Sequence, residues 1–164
     1  MHQKVYKDTK SGLEYLKIDN NKEKVICFLH GYGASMYDLY SLSESIKDSA
    51  EYDWIFINGH LPLQGDMLTA RAWFPIDMQA LESAMMRGEF RKFSKAYPAE
   101  LDSGISTCLS FLSSQTNDYK ELHLGGFSQG AMMSSHLAGR GLDNLKTLTL
   151  FSGNLIGKEQ LNSN

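Results

Sequence analysis

The feature that most constrains how this chain folds is the segment Gly126-Phe127-Ser128-Gln129-Gly130, which joins two runs of different character. The apolar run at 122–124 before it is predicted to be a strand. Residues 128 to about 137 have a helical pattern that ends near Gly139 and Gly141. A strand that turns sharply into a helix brings neighbouring chain segments close together, and glycines two residues on either side of Ser128 permit that approach. Such a turn would lift the Ser128 hydroxyl above the sheet.

Apolar runs elsewhere in the chain predict further strands. Continuous runs at 25–29 and 54–57 are typical of strands buried on both faces, as parallel sheets require. The alternation at 13–19 favours an edge or half-exposed strand, and 148–151 is a shorter candidate.

Helices are predicted between these strands. One begins at a pattern resembling a capping box, Ser35 to Asp38, and runs to about residue 47. Another begins near Pro98. Its apolar face at helical spacing consists of Leu101, Ile105, Cys108, Leu109 and Leu112. Strands alternating with helices over a single domain, residues 1–164, predict an α/β fold with a mainly parallel sheet.

The segment 59–77 does not follow this alternation. It contains Pro62 and Pro75 and is predicted to be a long excursion over the surface. A long ordered loop is more often functional than not. A short amphipathic helix is predicted after it, at 78–90.

Ser128 is a candidate nucleophile because of its context, since a Gly-x-Ser-x-Gly match is weak alone. In a strand-to-helix turn the Gln129 backbone N–H would point at the developing oxyanion, and the helix N-terminus would add its partial positive charge. The competing interpretation is a glycine-rich turn with an incidental serine.

A second element is Leu29-His30-Gly31-Tyr32-Gly33-Ala34-Ser35, which follows the most apolar strand. An α/β hydrolase supplies the other N–H of its oxyanion hole at this point. The alternative is a dinucleotide-binding loop, because Gly31-Tyr32-Gly33 starts that fingerprint. Met36 stands where the third glycine is needed, which argues against this alternative.

The segments 29–33, 71–74, 126–130 and 152–153 resemble those of the phospholipase/carboxylesterase family of small α/β hydrolases. That family includes acyl-protein thioesterases and lysophospholipase-like bacterial esterases. The resemblance runs over about residues 24–155 and implies the three-layer α/β-hydrolase sandwich.

The resemblance also assigns roles by position. It makes Ser128 the nucleophile, gives Tyr32 and Gln129 the backbone N–H groups of the oxyanion hole, and has Trp73 help to shape the acyl pocket. The alternative for Trp73 is a plain core aromatic.

Two departures from the family pattern bear on substrate details. Pro75 follows Phe74 where the family usually has Asp, and Ala34 follows Gly33 where it often has Asp.

The partners that a serine nucleophile needs are missing from their expected places. In α/β hydrolases an acid and then a histidine follow the serine. After Ser128 this chain offers only His136, Asp143 and Glu159. His136 lies about 12 Å along the helix axis, Asp143 just before a strand on the sheet's opposite edge, and Glu159 near the end of the chain.

The earlier histidines do not easily repair this gap. His123 would lie roughly 10 Å or more below the hydroxyl, on the strand before the turn. Two histidines remain candidate general bases: His30, which flanks the oxyanion loop, and His60, at the C-terminal end of a strand. A structural role for His30 and a surface position for His60 are the competing interpretations.

The lack of a suitably placed acid and histidine predicts that the sequence is the N-terminal portion of a longer enzyme, lacking the last strands and helices. By resemblance, the family continues with two more strands and carries its Asp and His on the loops after them. The polar residues 157–164 are predicted to be a linker or a broken end. The sheet would then expose an apolar edge, to be covered in a homodimer or by a missing C-terminal segment.

Composition excludes several classes of partner. The formal net charge is −3 and no basic cluster stands out, which argues against nucleic acid. The apolar runs are far shorter than a membrane span and the N-terminus is not a signal peptide, so a cytoplasmic protein is predicted. Cys27 and Cys108 are predicted to be buried free thiols. No spacing implies a metal, and no cofactor is expected.

The leading interpretation is a carboxylesterase or lysophospholipase that cleaves small-molecule esters or thioesters through an acyl-enzyme on Ser128. The chain alone is expected to be weakly active or inactive, because the Asp and His are absent. The alternatives are a non-catalytic α/β-hydrolase-like binding domain and a serine peptidase or acyltransferase of the same fold.

Overall fold

A computed structural model describes residues 3–63, 69–77, 80, 83, 84, 86–89 and 97–162. Its strands are β1 (Val5–Lys7), β2 (Glu14–Ile18), β3 (Lys24–Leu29), β4 (Asp53–Ile57), β5 (Leu61–Pro62), β6 (Arg71–Ala72), β7 (Glu121–Phe127) and β8 (Leu145–Phe151). The described main sheet has the order β1-β2-β4-β3-β7-β8, and β5 pairs with β6 separately. Strands β4, β3, β7 and β8 run parallel, while β1 and β2 are antiparallel to their neighbours. The predicted mainly parallel sheet is confirmed.

The two continuous apolar runs form the centre of this sheet. β3 lies between β4 and β7, with Cys27 opposite Ile55 on one side and Leu124 on the other. All five residues of β4 are buried. The sequence-based interpretation of strands covered on both faces is therefore confirmed, because alternate side chains of these strands enter two separate clusters.

Helices and turns cover both faces and make the domain three-layered. The α-helices with both ends described are α1 (Leu42–Ser45), α2 (Leu101–Gln115), α3 (Gln129–Ala138) and α4 (Lys158–Asn162), and Ser49–Glu51 form a short 3-10 helix. One face of the sheet packs against α2 and α3, and the predicted apolar face of α2 is buried there apart from the half-buried Leu109. The other face packs Phe28, Trp54 and Phe56 against Met36 and the segment 39–42.

The helix predicted from Ser35 to about residue 47 is wrong in length. The Asp38 carboxylate accepts hydrogen bonds from the Ser35 N–H at 2.8 Å and its hydroxyl at 2.7 Å, but regular helix is confined to α1. Successive i to i+3 backbone bonds fill the residues between. The hydroxyls of Ser43 and Ser45 donate to nearby carbonyl groups, the local competition that makes serine a poor helix interior residue.

The excursion predicted at 59–77 contains regular structure. Within it β5 and β6 form a short hairpin, closed by a bond from the Leu63 N–H to the Ala70 carbonyl at 3.0 Å. Two strands of two residues each leave no sequence periodicity to detect, which explains the missed pair. Within the helix predicted at 78–90, the described residues 80, 83, 84 and 86 are helical and 87–89 are not, and the other residues of this segment lie outside the described ones.

The C-terminal part of the chain differs from the sequence expectation. Residues 158–162 form α4, so a linker is the wrong interpretation for them. Ile156, just before this helix, is buried in the main core. The core holds it because the chain turns back over α3, where the His136 ring hydrogen-bonds to the Ile156 carbonyl.

Strand β8 lies at one edge of the sheet and, among the described strands, pairs only with β7. The apolar side chains of Leu148, Leu150 and Phe151 are 39%, 45% and 50% exposed. Phe127 and Leu155 are also exposed large hydrophobic residues. The apolar edge expected from the sequence is present.

Both cysteines are free and buried, as predicted. Burial raises the pKa of the Cys108 thiol to about 12 and that of the Cys27 thiol further still. Neither thiol is ionised near neutral pH, so both act as small core residues.

Candidate active site

Ser128 occupies the sharp turn between β7 and α3. Its backbone is left-handed, with φ 53° and ψ −114°, a conformation that non-glycine residues rarely adopt. The Ser128 N–H donates to the Phe151 carbonyl at 2.8 Å, which fixes the turn to the end of β8. The turn therefore has the strained strand-to-helix geometry that the glycine pattern predicted.

The two glycines that flank Ser128 are required by close backbone contacts. A Cβ on Gly126 would lie 2.3 Å from the Gly130 carbonyl carbon, and a Cβ on Gly130 would lie 2.2 Å from the Leu29 carbonyl oxygen. The first turn of α3 thus rests directly on the end of β3. Any side chain at either position would separate Ser128 from the loop that follows β3.

The turn after β3 passes beside Ser128. A Cβ built on Gly31 would lie 3.4 Å from the Ser128 Cβ, which is van der Waals contact. Among the described residues, the backbone N–H groups of Tyr32 and Gln129 have no hydrogen-bond acceptor. The structure thus brings together the elements that carry Ser128, Tyr32 and Gln129, which are three of the four predicted site residues.

Trp73, the fourth predicted site residue, lies behind this arrangement. Its side chain is fully buried, and its indole N–H donates to the His30 carbonyl at 2.7 Å. The ring packs against the His30 ring, with centroids 5.1 Å apart. A contact between Trp73 and an acyl chain stays a prediction, since the side chain is part of the main core.

His30 is buried with both ring nitrogens in use. Nε2 accepts the Gly59 N–H at 2.9 Å, so the proton lies on Nδ1, which donates to the Gly31 carbonyl at 2.7 Å. Burial lowers the pKa of His30 to about 4. The ring is therefore neutral near pH 7 and connects the turn after β3 with the end of β4, which supports the structural interpretation.

His30 should make the protein less stable in mild acid. Unfolded, the side chain takes up a proton near its ordinary pKa of 6.5, but the folded side chain resists protonation down to about 4. Between pH 6.5 and pH 4 the unfolded state binds more protons than the folded state. The free energy of unfolding therefore falls as the pH falls through this range. Urea denaturation should show a loss of about 2 kcal/mol at about pH 5 relative to about pH 7.5 from this residue.

The matched control for this measurement is His30→Gln. Glutamine keeps one donor and one acceptor but does not titrate. On acidification the free energy of unfolding of this variant should therefore fall by about 2 kcal/mol less than that of the unsubstituted protein. Burial also lowers the pKa values of His60 and His136, whose contributions have the same sign and cancel in the comparison. Equal pH slopes in the two proteins would contradict the assignment.

None of the four described histidines contacts the Ser128 hydroxyl, which has no hydrogen-bond partner among the described residues. His136 is hydrogen-bonded through Nε2 to the Ile156 carbonyl at 3.0 Å. His123 faces Thr147, with 2.8 Å between Nδ1 and Oγ1, and lies roughly 15 Å before the turn along β7. The structure leaves both away from the serine, as the sequence predicted.

His60 follows the C-terminal end of β4, at the same end of the parallel strands as the turn after β3. It lines a cavity of about 350 Å³ with Asn58, Gly59 and Arg71, and its buried Nδ1 has no hydrogen-bond partner in the described structure. The cavity lining includes no part of the Ser128 turn. No described carboxylate bonds to His60 or His30, so neither has the acid that orients a catalytic base.

The candidate acids are no better placed. Asp143 lies in the turn before β8 and lines a separate cavity with Asn117 and Leu109, at the opposite end of β7 from Ser128. Glu159 lies in α4. The described residues thus assemble the serine and the candidate oxyanion donors, without a base and its acid.

The side chain of Gln129 is a site feature that sequence reasoning missed. It is fully buried, its Oε1 accepts the Trp73 N–H at 2.9 Å, and its Nε2 donates to the Phe74 carbonyl at 2.7 Å. The motif at 71–74 was recognised from the sequence. Its hydrogen bonds with the Gln129 side chain, more than fifty residues further along the chain, were not. A glutamine directly after the serine, at a buried helix position, was the available signal.

The described residues contain no group of three or more His, Cys, Asp and Glu side chains that could hold a metal ion. None of the described helices is long and apolar enough to cross a membrane.

The fold and the arrangement around Ser128 define the protein as an α/β hydrolase, and solved structures of this class match it. The chain belongs to the phospholipase/carboxylesterase family, whose model matches residues 14–164. A search of curated proteins gave no match.

Three similar structures show how much of such a domain is present. A carboxylesterase from Mesorhizobium loti is 16% identical with a TM-score of 0.67, over 93% of this chain and 67% of that chain. Esterase PE8 is 23% identical with a TM-score of 0.66, over 98% and 67%. A lipase-esterase related protein from Clostridium acetobutylicum is 17% identical with a TM-score of 0.57, over 86% and 46%. The chain thus spans two thirds or less of these relatives' lengths, and identities this low show the fold alone.

Proposed function

We propose that the protein is a serine hydrolase that cleaves carboxylic esters or thioesters through an acyl-enzyme on Ser128. The observation that carries the proposal is the strained turn at Ser128, with φ 53°, so close to the turn at Gly31 that a Cβ on Gly31 would lie 3.4 Å from the Ser128 Cβ. Family membership supports esterase-type hydrolase chemistry. The proposed substrates are small-molecule acyl esters or thioesters, with no nucleic acid or membrane-inserted partner.

The proposed reaction has two halves. The Ser128 oxygen attacks the acyl carbon while a base removes its proton, and the carbonyl oxygen becomes an oxyanion that accepts hydrogen bonds from the Tyr32 and Gln129 N–H groups. The intermediate collapses with the C–O or C–S bond breaking, and the same proton goes to the leaving alcohol or thiol. Water then attacks the acyl-enzyme, which frees the carboxylic acid and restores the serine hydroxyl.

We propose further that the base and its carboxylate come from outside the residues that the structure describes. The described histidines are bonded elsewhere or lack an acid, as the positions of His30, His60, His123 and His136 indicate. The exposed edge of β8 is a surface on which further strands and their loops would pack. A histidine on such a loop would approach Ser128 from the C-terminal ends of the parallel strands, where α/β sheets keep their sites.

A second candidate function is a non-catalytic domain that binds a ligand or partner. The observation that favours it is the lack of a base near the Ser128 hydroxyl in the described structure. If the cells make a protein of 164 residues that does not turn over esters, this candidate replaces the first.

The test is to trap the acyl-enzyme on the native gene product, meaning the protein as its own cells make it. Incubation with p-nitrophenyl butyrate and a rapid acid quench should leave one butyryl group on the peptide that contains Ser128. Mass spectrometry of the same sample gives the length of the native protein. A butyryl group on another residue, or rapid turnover through no covalent adduct, would overturn the proposed mechanism.

A further inference from the structure

The side chain of Gln129 makes two hydrogen bonds, one as an acceptor and one as a donor, to two consecutive residues. Its carbonyl oxygen accepts the Trp73 N–H at 2.9 Å, and its amide nitrogen donates to the Phe74 carbonyl at 2.7 Å. A neutral amide offers an acceptor and a donor side by side, which matches the backbone groups of consecutive residues. Because the side chain is fully buried, loss of these bonds leaves polar backbone groups without partners.

The segment that Gln129 holds continues directly into the turn after β3. The Gly33 N–H donates to the Arg71 carbonyl at 2.9 Å, and the Arg71 N–H donates to the Ala34 carbonyl at 2.9 Å. The Trp73 indole N–H donates to the His30 carbonyl at 2.7 Å. Residues 71–74 therefore bond to the beginning of α3 on one side and to residues on either side of Tyr32 on the other.

No direct hydrogen bond joins residues 31–34 to residues 128–130 in the described structure. The strands that carry the two segments end in the ladder pair Leu29 and Gly126, and beyond that pair the segments come closest at Gly31 and Ser128, where a Cβ on Gly31 would lie 3.4 Å from the Ser128 Cβ. Such contacts limit how closely the segments approach but do little to prevent one from sliding past the other. Beyond the ladder pair of Leu29 and Gly126, the hydrogen-bonded connection between the two segments runs through residues 71–74 and depends on the Gln129 side chain.

We propose that the Gln129 side chain is a positioning residue, which sets the Tyr32 N–H relative to the Gln129 N–H by holding residues 73 and 74. The inference rests on the proposed function, in which these two N–H groups bind the oxyanion. Gln129 then binds the oxyanion through its backbone N–H and holds residues 73 and 74 through its side chain. A displacement of about 1 Å in such an arrangement can cost on the order of 10²-fold in rate.

The first test uses Gln129→Met in the native gene product. Methionine keeps the length of the side chain and the backbone N–H but removes both hydrogen bonds. Since oxyanion donors act mainly in the transition state, kcat for p-nitrophenyl butyrate should fall about 10- to 100-fold while KM changes less than about threefold. The matched control is Gln115→Met, which removes a glutamine bonded at both ends to Tyr15 and Asp8, at the far end of α2. It should leave kcat unchanged.

The second variant, Gln129→Glu, supplies a pH-dependent rescue. An ionised glutamate can accept from Trp73 but cannot donate to the Phe74 carbonyl, whereas a protonated carboxyl group makes both bonds. The kcat of this variant relative to the unsubstituted enzyme at the same pH should therefore rise as the pH falls. A purely structural loss would give a constant ratio, and a constant ratio overturns the inference.

A spectroscopic measurement separates this inference from the proposed function. In ¹H–¹⁵N NMR spectra of the 164-residue chain, Gln129→Met should shift the Tyr32 amide signal and the Trp73 indole signal, and Gln115→Met should shift neither. The other tryptophan, Trp54, bonds to the Ser49 carbonyl and provides an internal reference. Unmoved signals overturn the inference even if the enzyme is active. Shifted signals in a protein without esterase activity would support the connection while the proposed function fails.

Discussion

Replacing Ser128 with alanine should abolish fluorophosphonate labelling and ester hydrolysis in the native gene product, a loss of about 10⁴-fold or more. The probe needs an activated hydroxyl beside an oxyanion hole, and only the turn at Ser128 lies next to the two N–H groups of Tyr32 and Gln129 that lack acceptors in the described structure. Gel fluorescence after labelling and p-nitrophenyl butyrate hydrolysis measure the two effects. Alanine keeps the backbone of the turn, so the melting temperature of the variant should stay close to that of the parent.

Two controls make the result specific to Ser128. Ser35→Ala removes the hydroxyl of another serine near the turn after β3, which is bonded to Asp38 instead of being free to react. Tyr32→Phe removes a phenol but not the backbone N–H. Both variants should keep most of the labelling. If Ser128→Ala kept full activity while Ser35 proved essential, Ser128 would not be the nucleophile.

The chain of 164 residues, purified alone, should hydrolyse p-nitrophenyl butyrate on the order of 10⁴-fold more slowly than an enzyme with a complete triad. The physical reason is that the Ser128 hydroxyl has no base within hydrogen-bonding distance among the described residues. Residual rate would come from substrate binding and the oxyanion donors alone. Initial rates at several pH values give the comparison with the native gene product.

Rapid hydrolysis by this chain would point to His30 or His60 as the base. His30→Gln and His60→Gln would then decide between them. His30 would have to give up its bond from the Gly59 N–H to act, because that bond occupies Nε2. The buried Nδ1 of His60 has no partner in the described structure and could accept a proton without breaking a bond.

The parts of the fold that sequence predicted well are those where one local property decides the structure. β3 and β4 are continuous apolar runs, and burial on both faces is the main environment that favours such runs. The turn at Ser128 was predictable because it requires glycine at 126 and 130, where a Cβ would lie 2.3 Å and 2.2 Å from backbone atoms. The alternation of strands and helices predicted the parallel sheet, and the resemblance to a family implied the three-layer sandwich.

The parts that could not be predicted depend on contacts between distant residues. The Gln129 side chain bonds to residues 73 and 74, and the hairpin of β5 and β6 is held partly by Gly33 and Ala34. Pairings of this kind leave no periodicity in the sequence. The length of α1 was overestimated for a different reason, since serine hydroxyls compete for the carbonyl groups that a helix would use.

The free edge of β8 has a consequence for protein engineering. No described strand pairs with its outer N–H and C=O groups, and the apolar side chains of Leu148, Leu150 and Phe151 are 39–50% exposed. A separate polypeptide that adds a strand there would need no covalent connection to this chain, because main-chain hydrogen bonds and apolar contacts supply the affinity. Such an added strand would lie next to the end of β8, whose Phe151 carbonyl accepts the Ser128 N–H, so a fluorophore attached to the added polypeptide would report from beside the Ser128 turn.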